Sequence, residues 1–226
     1  MAPSVWAAEV TVQNDSTVNG VPSTPLNNFL AGESTAAWLT ASCTGNIVAT
    51  QVYWASQFGG ASSQIEQSIT LYNAGTHPTP GAIMLSQGSD PAQVVAPTLF
   101  DGVMNEFRFL DPPANTKAMS VPVTSGQTFV ASLTFLNQSS GGAPFAPAPT
   151  IDQDGCQPLK NAVDVLPGGW MDACSLGVTG DFIIRAVIDY QPPPVPAASP
   201  IGTALLVALL AAVSLSVAWG HRMRRA

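Results

Sequence analysis

Hydrophobic and polar residues alternate with a period of two along most of the first 190 positions, as in strands that bury one face. In residues 64–72, Ile65, Ile69 and Leu71 fall on one side, and Glu66, Ser68 and Thr70 on the other. In residues 103–109, Val103, Phe107 and Phe109 are expected to point inward, with Glu106 and Arg108 outward. Residues 127–136 set Phe129, Ala131, Leu133 and Phe135 against Thr128, Ser132 and Thr134. Residues 181–190 set Phe182, Ile184, Ala186 and Ile188 against Arg185 and Asp189. Further strands are expected at 9–13, 36–41, 46–55 and 93–99.

Turn signals separate these segments: Asn19-Gly20, Gly59-Gly60, Pro80-Gly81, Asp101-Gly102, Ser140-Gly141-Gly142 and Pro167-Gly168-Gly169. About nine short strands with one apolar face predict an all-β domain over residues 9–190. Its expected architecture is a two-sheet β-sandwich of jelly-roll or immunoglobulin-like kind. Gly180 to Val187 resembles the last strand of β-sandwich modules found in secreted bacterial proteins.

The pattern changes after residue 190. Residues 191–200 begin Gln191-Pro192-Pro193-Pro194-Val195-Pro196, a stiff extended spacer. Ile201 to Trp219 then runs 19 residues without a charge. As a helix it would reach about 28 Å, the thickness of a bilayer core. Residues 220–226 close the chain with Arg222, Arg224 and Arg225. By the positive-inside rule the arginines stay cytoplasmic, so a C-terminal transmembrane helix at 201–219 would hold residues 1–190 outside. At the other end, residues 1–8 have small residues placed for signal-peptidase cleavage and read as the residual end of a signal peptide.

Spacer, span and basic end together resemble the tripartite C-terminal sorting signals of Gram-negative bacteria, the PEP-CTERM and IPTL-CTERM classes. Against the pattern Ile-Pro-Thr-Leu-Ser-x-Trp-Gly, Pro196, Ser199 and Gly202 match in register and Val195 is conservative; Ala198 and Ile201 depart from it. The resemblance implies recognition by an exosortase-type transpeptidase, which cleaves near the motif and passes the body to the cell surface or its matrix. A plain membrane anchor is the alternative.

Charge and composition narrow the rest. Only 9% of residues are charged, and Gly and Pro together fill 39 positions, which suits strands joined by many turns. Fourteen acidic residues against four basic ones leave the body ten charges negative, so it repels nucleic-acid phosphates. Cys156 and Cys174 are expected to form a disulfide in an oxidising compartment, leaving Cys43 over.

Signals for catalysis are sparse. His77 is the body's one histidine and lies in a turn, Gly75-Thr76-His77-Pro78, where an exposed, idle side chain is expected. No G-x-S-x-G elbow, HExxH or P-loop signature is present. The chain is therefore read as a non-enzyme with no cofactor, save one calcium candidate. Asp152 and Asp154 before Gly155, followed by Asp164, resemble the opening of a calcium loop, because a hard cation wants several oxygens from a tightly turned backbone. An Asp-Gly turn pinned by a disulfide is the competing reading.

Aromatic residues give the other candidate. Tyr53 and Trp54 are neighbours on a strand, so one should face away from the core, and Trp170 follows a Gly-Gly turn. Trp54 and Trp170 are thus candidate contacts for a glycan, against a reading of ordinary packing. The resulting expectation is a structural or adhesive surface protein, partnered by the membrane and a sorting transpeptidase. A carbohydrate-binding module for envelope or matrix polysaccharide is the alternative.

Overall fold

The computed structural model describes residues 8–56, 62–88, 96–137 and 149–190. Within them the chain is all-β, with no α-helix. One sheet has five strands: β1 (Ala8–Val12), β15 (Ile184–Tyr190) and β4 (Gly45–Trp54) run side by side. Along the free side of β4, β10 (Val121–Val123) pairs with its first half and β9 (Val103–Phe107) with its second. The other sheet has six strands, in the order β14 (Gly169–Asp172), β13 (Asn161–Val165), β3 (Ser34–Thr40), β11 (Thr128–Thr134), β6 (Ser68–Asn73) and β7 (Ile83–Gln87). Two short ribbons complete the set: β2 (Thr24–Pro25) with β12 (Thr150–Ile151), and β5 (Ser63–Ile65) with β8 (Thr98–Phe100). All named pairings are antiparallel.

The two large sheets share one core. Ala37, Leu39, Phe129, Ala131, Leu133, Ile69, Leu71 and Val163 come from the six-stranded sheet; Ile47, Val52, Trp54, Val121, Val123, Ile184, Ala186 and Ile188 come from the other. This is a sandwich in which period-2 alternation sends one set of side chains of each sheet inward. The expected faces of 127–136 and 181–190 are those observed: Phe129, Leu133, Phe135, Phe182, Ile184 and Ile188 are buried.

The structure corrects the expectation at several places. The strand expected over 64–72 is two strands, β5 and β6, broken at Glu66-Gln67, and Ile65 on the small ribbon is exposed. Val103 is exposed rather than inward; on the same face of β9, buried Asn105 accepts from the Phe100 amide and donates to the Phe100 and Val103 carbonyls. Arg185 does point away from the core, but it is buried. The polypeptide itself covers it, which alternation alone does not reveal.

That cover is the segment after β1. The Asp15 carboxylate takes two bonds from the Arg185 guanidinium, one from Nε at 2.9 Å, while Thr17 offers its carbonyl and hydroxyl oxygens. Both charged side chains are almost wholly out of water. Next comes the turn that Asn19-Gly20 signalled: both residues have positive φ, and Val18 and Val21 bond each other across it. This is the type I′ geometry that favours Asn-Gly. Gly20 is also required sterically, because a Cβ there would lie 2.0 Å from the Tyr53 ring.

Glu66, expected on the wet face, is fully buried. Oε2 accepts the Leu136 amide at 2.8 Å, whereas Oε1 has no partner. Burial, only partly offset by bonds from Leu136 and Asn137, pushes its carboxyl up to about 7.

Two outcomes are expected. Asp15→Ala leaves a buried guanidinium unpaired and should cost about 3–5 kcal/mol; adding Arg185→Met to that variant should restore part of the loss in urea unfolding. For Glu66, the folded state binds a proton that the unfolded state has already released between pH 4.5 and 7. Wild-type stability should therefore fall as pH rises across that window, by roughly 3 kcal/mol in total. Glu66→Gln, which keeps an acceptor for Leu136, should be more stable than wild type at pH 8 and lose this slope in melting curves.

Candidate functional site

The acidic segment around Asp152 is a structural knot. Asp152 Oδ2 accepts the Ser16 amide at 2.9 Å, and Oδ1 accepts the Asp181 amide at 2.8 Å. Asp181 in turn accepts from the Gln157 amide, the Gln157 side chain and Asn161 Nδ2. Gly180 makes room for this, since a Cβ would sit 2.2 Å from the Asp152 carbonyl oxygen. Burial pushes the carboxyls of both Asp152 and Asp181 up, against those donors. Asp154 adds to the upward push on Asp152. Asp164 does not join them: it stands on β13 opposite Trp170. Among the described residues no group of three or more His, Cys, Asp or Glu side chains is placed to hold a metal ion.

Cys156 and Cys174 are disulfide-bonded, with Cα atoms 5.6 Å apart, and Cys43 is a free thiol. The bridge closes the loop that carries β13 and β14, and a short 3₁₀ turn (Cys174–Leu176) starts at its end. It therefore anchors the edge of the six-stranded sheet.

The two tryptophan candidates separate. Trp54 is fully buried, packed in the central core, and its ring is closed to any ligand. Its neighbour Tyr53 does face the other way, yet it is buried too, under the Asn19-Gly20 turn, with its hydroxyl donating to the Gly102 carbonyl. Trp170 remains partly exposed, on the outer face of the six-stranded sheet.

That outer face carries its own apolar cluster. Ala36, Trp38, Val130 and Ala162 are buried there, with Tyr72 on β6 and Trp170 on β14 packed against them on the same face. Register explains the arrangement. Trp170 pairs with Asp164, Asp164 with Ser34, and Ser34 with Thr134; two pleat repeats away, Trp38 pairs with Val130 and Val130 with Tyr72. Side chains of registered antiparallel pairs share a face. The floor between the rings is thus small: Ala36, Ala162, Ser34 and Ser132.

His77 closes one end. Instead of lying idle in solvent, it packs edge-on against Trp38 at 4.8 Å, with Nε2 3.2 Å from the Asn161 carbonyl and Nδ1 3.8 Å from Asp172. Trp38 Nε1 donates to the Ala74 carbonyl at 2.9 Å. The 74–79 turn is therefore stapled across β3 and β13, and Trp38 is buried as a support.

Asp164, Tyr72 and Trp170 stay partly open. Burial first, then the charge of Glu33, raises the Asp164 carboxyl. Burial also raises the Tyr72 hydroxyl, and the Asp164 charge adds to that while a Thr70 hydrogen bond opposes it. Tyr72 and Asp164 stand on one face of the sheet, on strands three apart. Trp38 and Tyr72 belong to the face, and sequence reasoning passed over them as site residues. The available signal was parity: Tyr72 falls in step with Glu66, Ser68 and Thr70, the polar side of its segment.

A cleft of about 370 Å³ is lined by Leu26, Phe29, Val163, Val165, Leu176 and Val178. Its carboxylate, Glu33, already accepts the Leu30 and Leu166 amides at 2.8 and 3.0 Å. The cleft offers apolar surface and little polar selectivity.

Val195, Pro196, Ser199, Gly202, Arg222, Arg224 and Arg225 lie outside the described residues, as do the spacer and the expected span. Among the described residues no helix is long and apolar enough to cross a membrane. Comparison with protein-family models, with curated proteins and with solved structures finds no match.

Replacing both Cys156 and Cys174 by Ser should lower stability by roughly 3 kcal/mol through the freed loop. The loss should be visible as a fall in Tm that reduction of the wild type reproduces.

Proposed function

We propose that the chain is a structural or adhesive protein of the bacterial envelope, displayed outside the cytoplasm on a sandwich of jelly-roll or immunoglobulin-like kind and delivered by its C-terminal segment. One observation carries this reading: 19 uncharged residues, Ile201 to Trp219, are closed by Arg222, Arg224 and Arg225. Such a segment is favourable in lipid, and its basic end resists transfer across the membrane. The body supports the same address. Its Cys156–Cys174 bridge belongs to an oxidising compartment, and its wet surface is acidic.

In this reading Val195 to Gly202 is the recognition segment for a sorting transpeptidase, and the tail is either cleaved there or kept as an anchor. A carbohydrate-binding role is the second reading. It is favoured by the partly open Trp170, Asp164 and Tyr72 on one sheet face.

Alkaline phosphatase, active only outside the cytoplasm, should be active when fused after Gln191 and inactive when fused after Ala226. Activity at both junctions, or full-length chain in the soluble fraction without detergent, would overturn the reading. The intact mass of the surface form decides between the two fates of the tail: cleavage predicts an end between Pro196 and Gly202.

A further inference from the structure

We propose that the outer face of the six-stranded sheet binds a neutral hexose polymer, with Trp170 and Tyr72 stacking on sugar rings and Asp164 accepting their hydroxyls. This rests on the carbohydrate-binding reading and assigns its site. Four observations converge. Trp170 and Tyr72 both pack against the same small-residue floor, and each stays partly exposed. Asp164, beside Trp170, is shifted by burial and by charge alone, without a hydrogen bond from any described residue. A half-buried carboxylate in that state is an acceptor in want of a donor.

The third observation lies in the floor. Ser132, paired with Ala36 and Thr70, is 1% exposed and its hydroxyl has no partner. Its neighbours are satisfied: Ser34 bonds Thr134 at 2.8 Å, and Thr70 bonds Ser86 at 2.8 Å. The fourth is rigidity. Trp38, held by Ala74 and His77, fixes the cluster against which both open rings lean.

Charge selects the class of polymer. A sugar ring offers an apolar C–H face to the aromatics and hydroxyl donors to the carboxylate. A polyuronate would bring its own carboxylates against Asp164 on a body already ten charges negative, which electrostatic complementarity disfavours.

The test uses the full-length chain in a zwitterionic, sugar-free detergent. Its binding to neutral glucans, galactans and mannans is compared with binding to a polyuronate, by tryptophan fluorescence and by retention on immobilised polymer. Wild type is expected to bind at least one neutral polymer and to ignore the polyuronate. Trp170→Ala and Asp164→Asn should each weaken binding by about tenfold or more. Phe100→Ala, at an exposed ring elsewhere, should leave it unchanged. If Trp170→Ala fails to fold, Trp170→Phe and Asp164→Asn decide. Silence toward every polymer overturns the carbohydrate reading and this site with it. Binding that survives both substitutions overturns the site alone, and preference for the polyuronate overturns the choice of a neutral ligand.

Discussion

Arg185 carries a full charge on the strand that lies between β1 and β4, and the fold holds it out of water. A lone guanidinium in that position would cost several kcal/mol. Asp15 and Thr17 meet it with a carboxylate, a carbonyl and a hydroxyl, and so commit the segment after β1 to lie over the sheet. Much else follows from that commitment. Ser16 is brought to Asp152, which in turn holds the Asp181 amide. Asn14 donates to the Trp38 carbonyl and accepts from Gln157. Four consecutive polar residues, Asn14 to Thr17, therefore tie Arg185 on β15 of one sheet to β3 of the other and to the Asp152 and Gln157 loop.

The two sheets are finished differently on their outer sides. Over the five-stranded sheet, the chain folds back and covers Arg185 and Tyr53 with the Asp15 to Gly20 segment. Over the six-stranded sheet, the described residues form no such buried Arg–Asp pair; the cover is the 74–79 turn, held by Trp38 and His77, beside a cluster of aromatic side chains on a floor of Ala and Ser. A face closed by backbone and paired charge is spent on stability. A face closed in part by partly exposed rings, with an acceptor beside one of them that no described residue fills, still has contacts to make. That difference is why the proposed ligand site is placed on one side of the sandwich and not on the other.

The displaced candidates show where sequence patterns stop. Trp54 was offered as a surface ring because Tyr53 sits beside it and alternate residues must diverge. They do diverge, but a loop more than thirty residues earlier in the chain buries the outward one. Glu66 was placed on the wet side by parity, and a strand break turned it inside. Asp152, Asp154 and Asp164 were grouped by spacing, whereas the fold uses Asp152 as an acceptor for backbone amides and sends Asp164 to a different surface. In each case a long-range contact decided burial, and local alternation carries no information about such contacts.

Taken alone, the order of residues determined the all-β class, most of the principal strands, the inward faces of β11 and β15, the Asn19-Gly20 and Asp101-Gly102 turns and the pairing of Cys156 with Cys174. Those are properties of side-chain period, backbone sterics and short loops, all of which are local. Tertiary structure alone decided which outward faces meet water, which carboxylates are filled by amides, and which aromatics share a surface. These depend on which strands become neighbours, and Trp170, Asp164 and Tyr72 share a face only because four strand pairings place β14, β13 and β6 in one sheet.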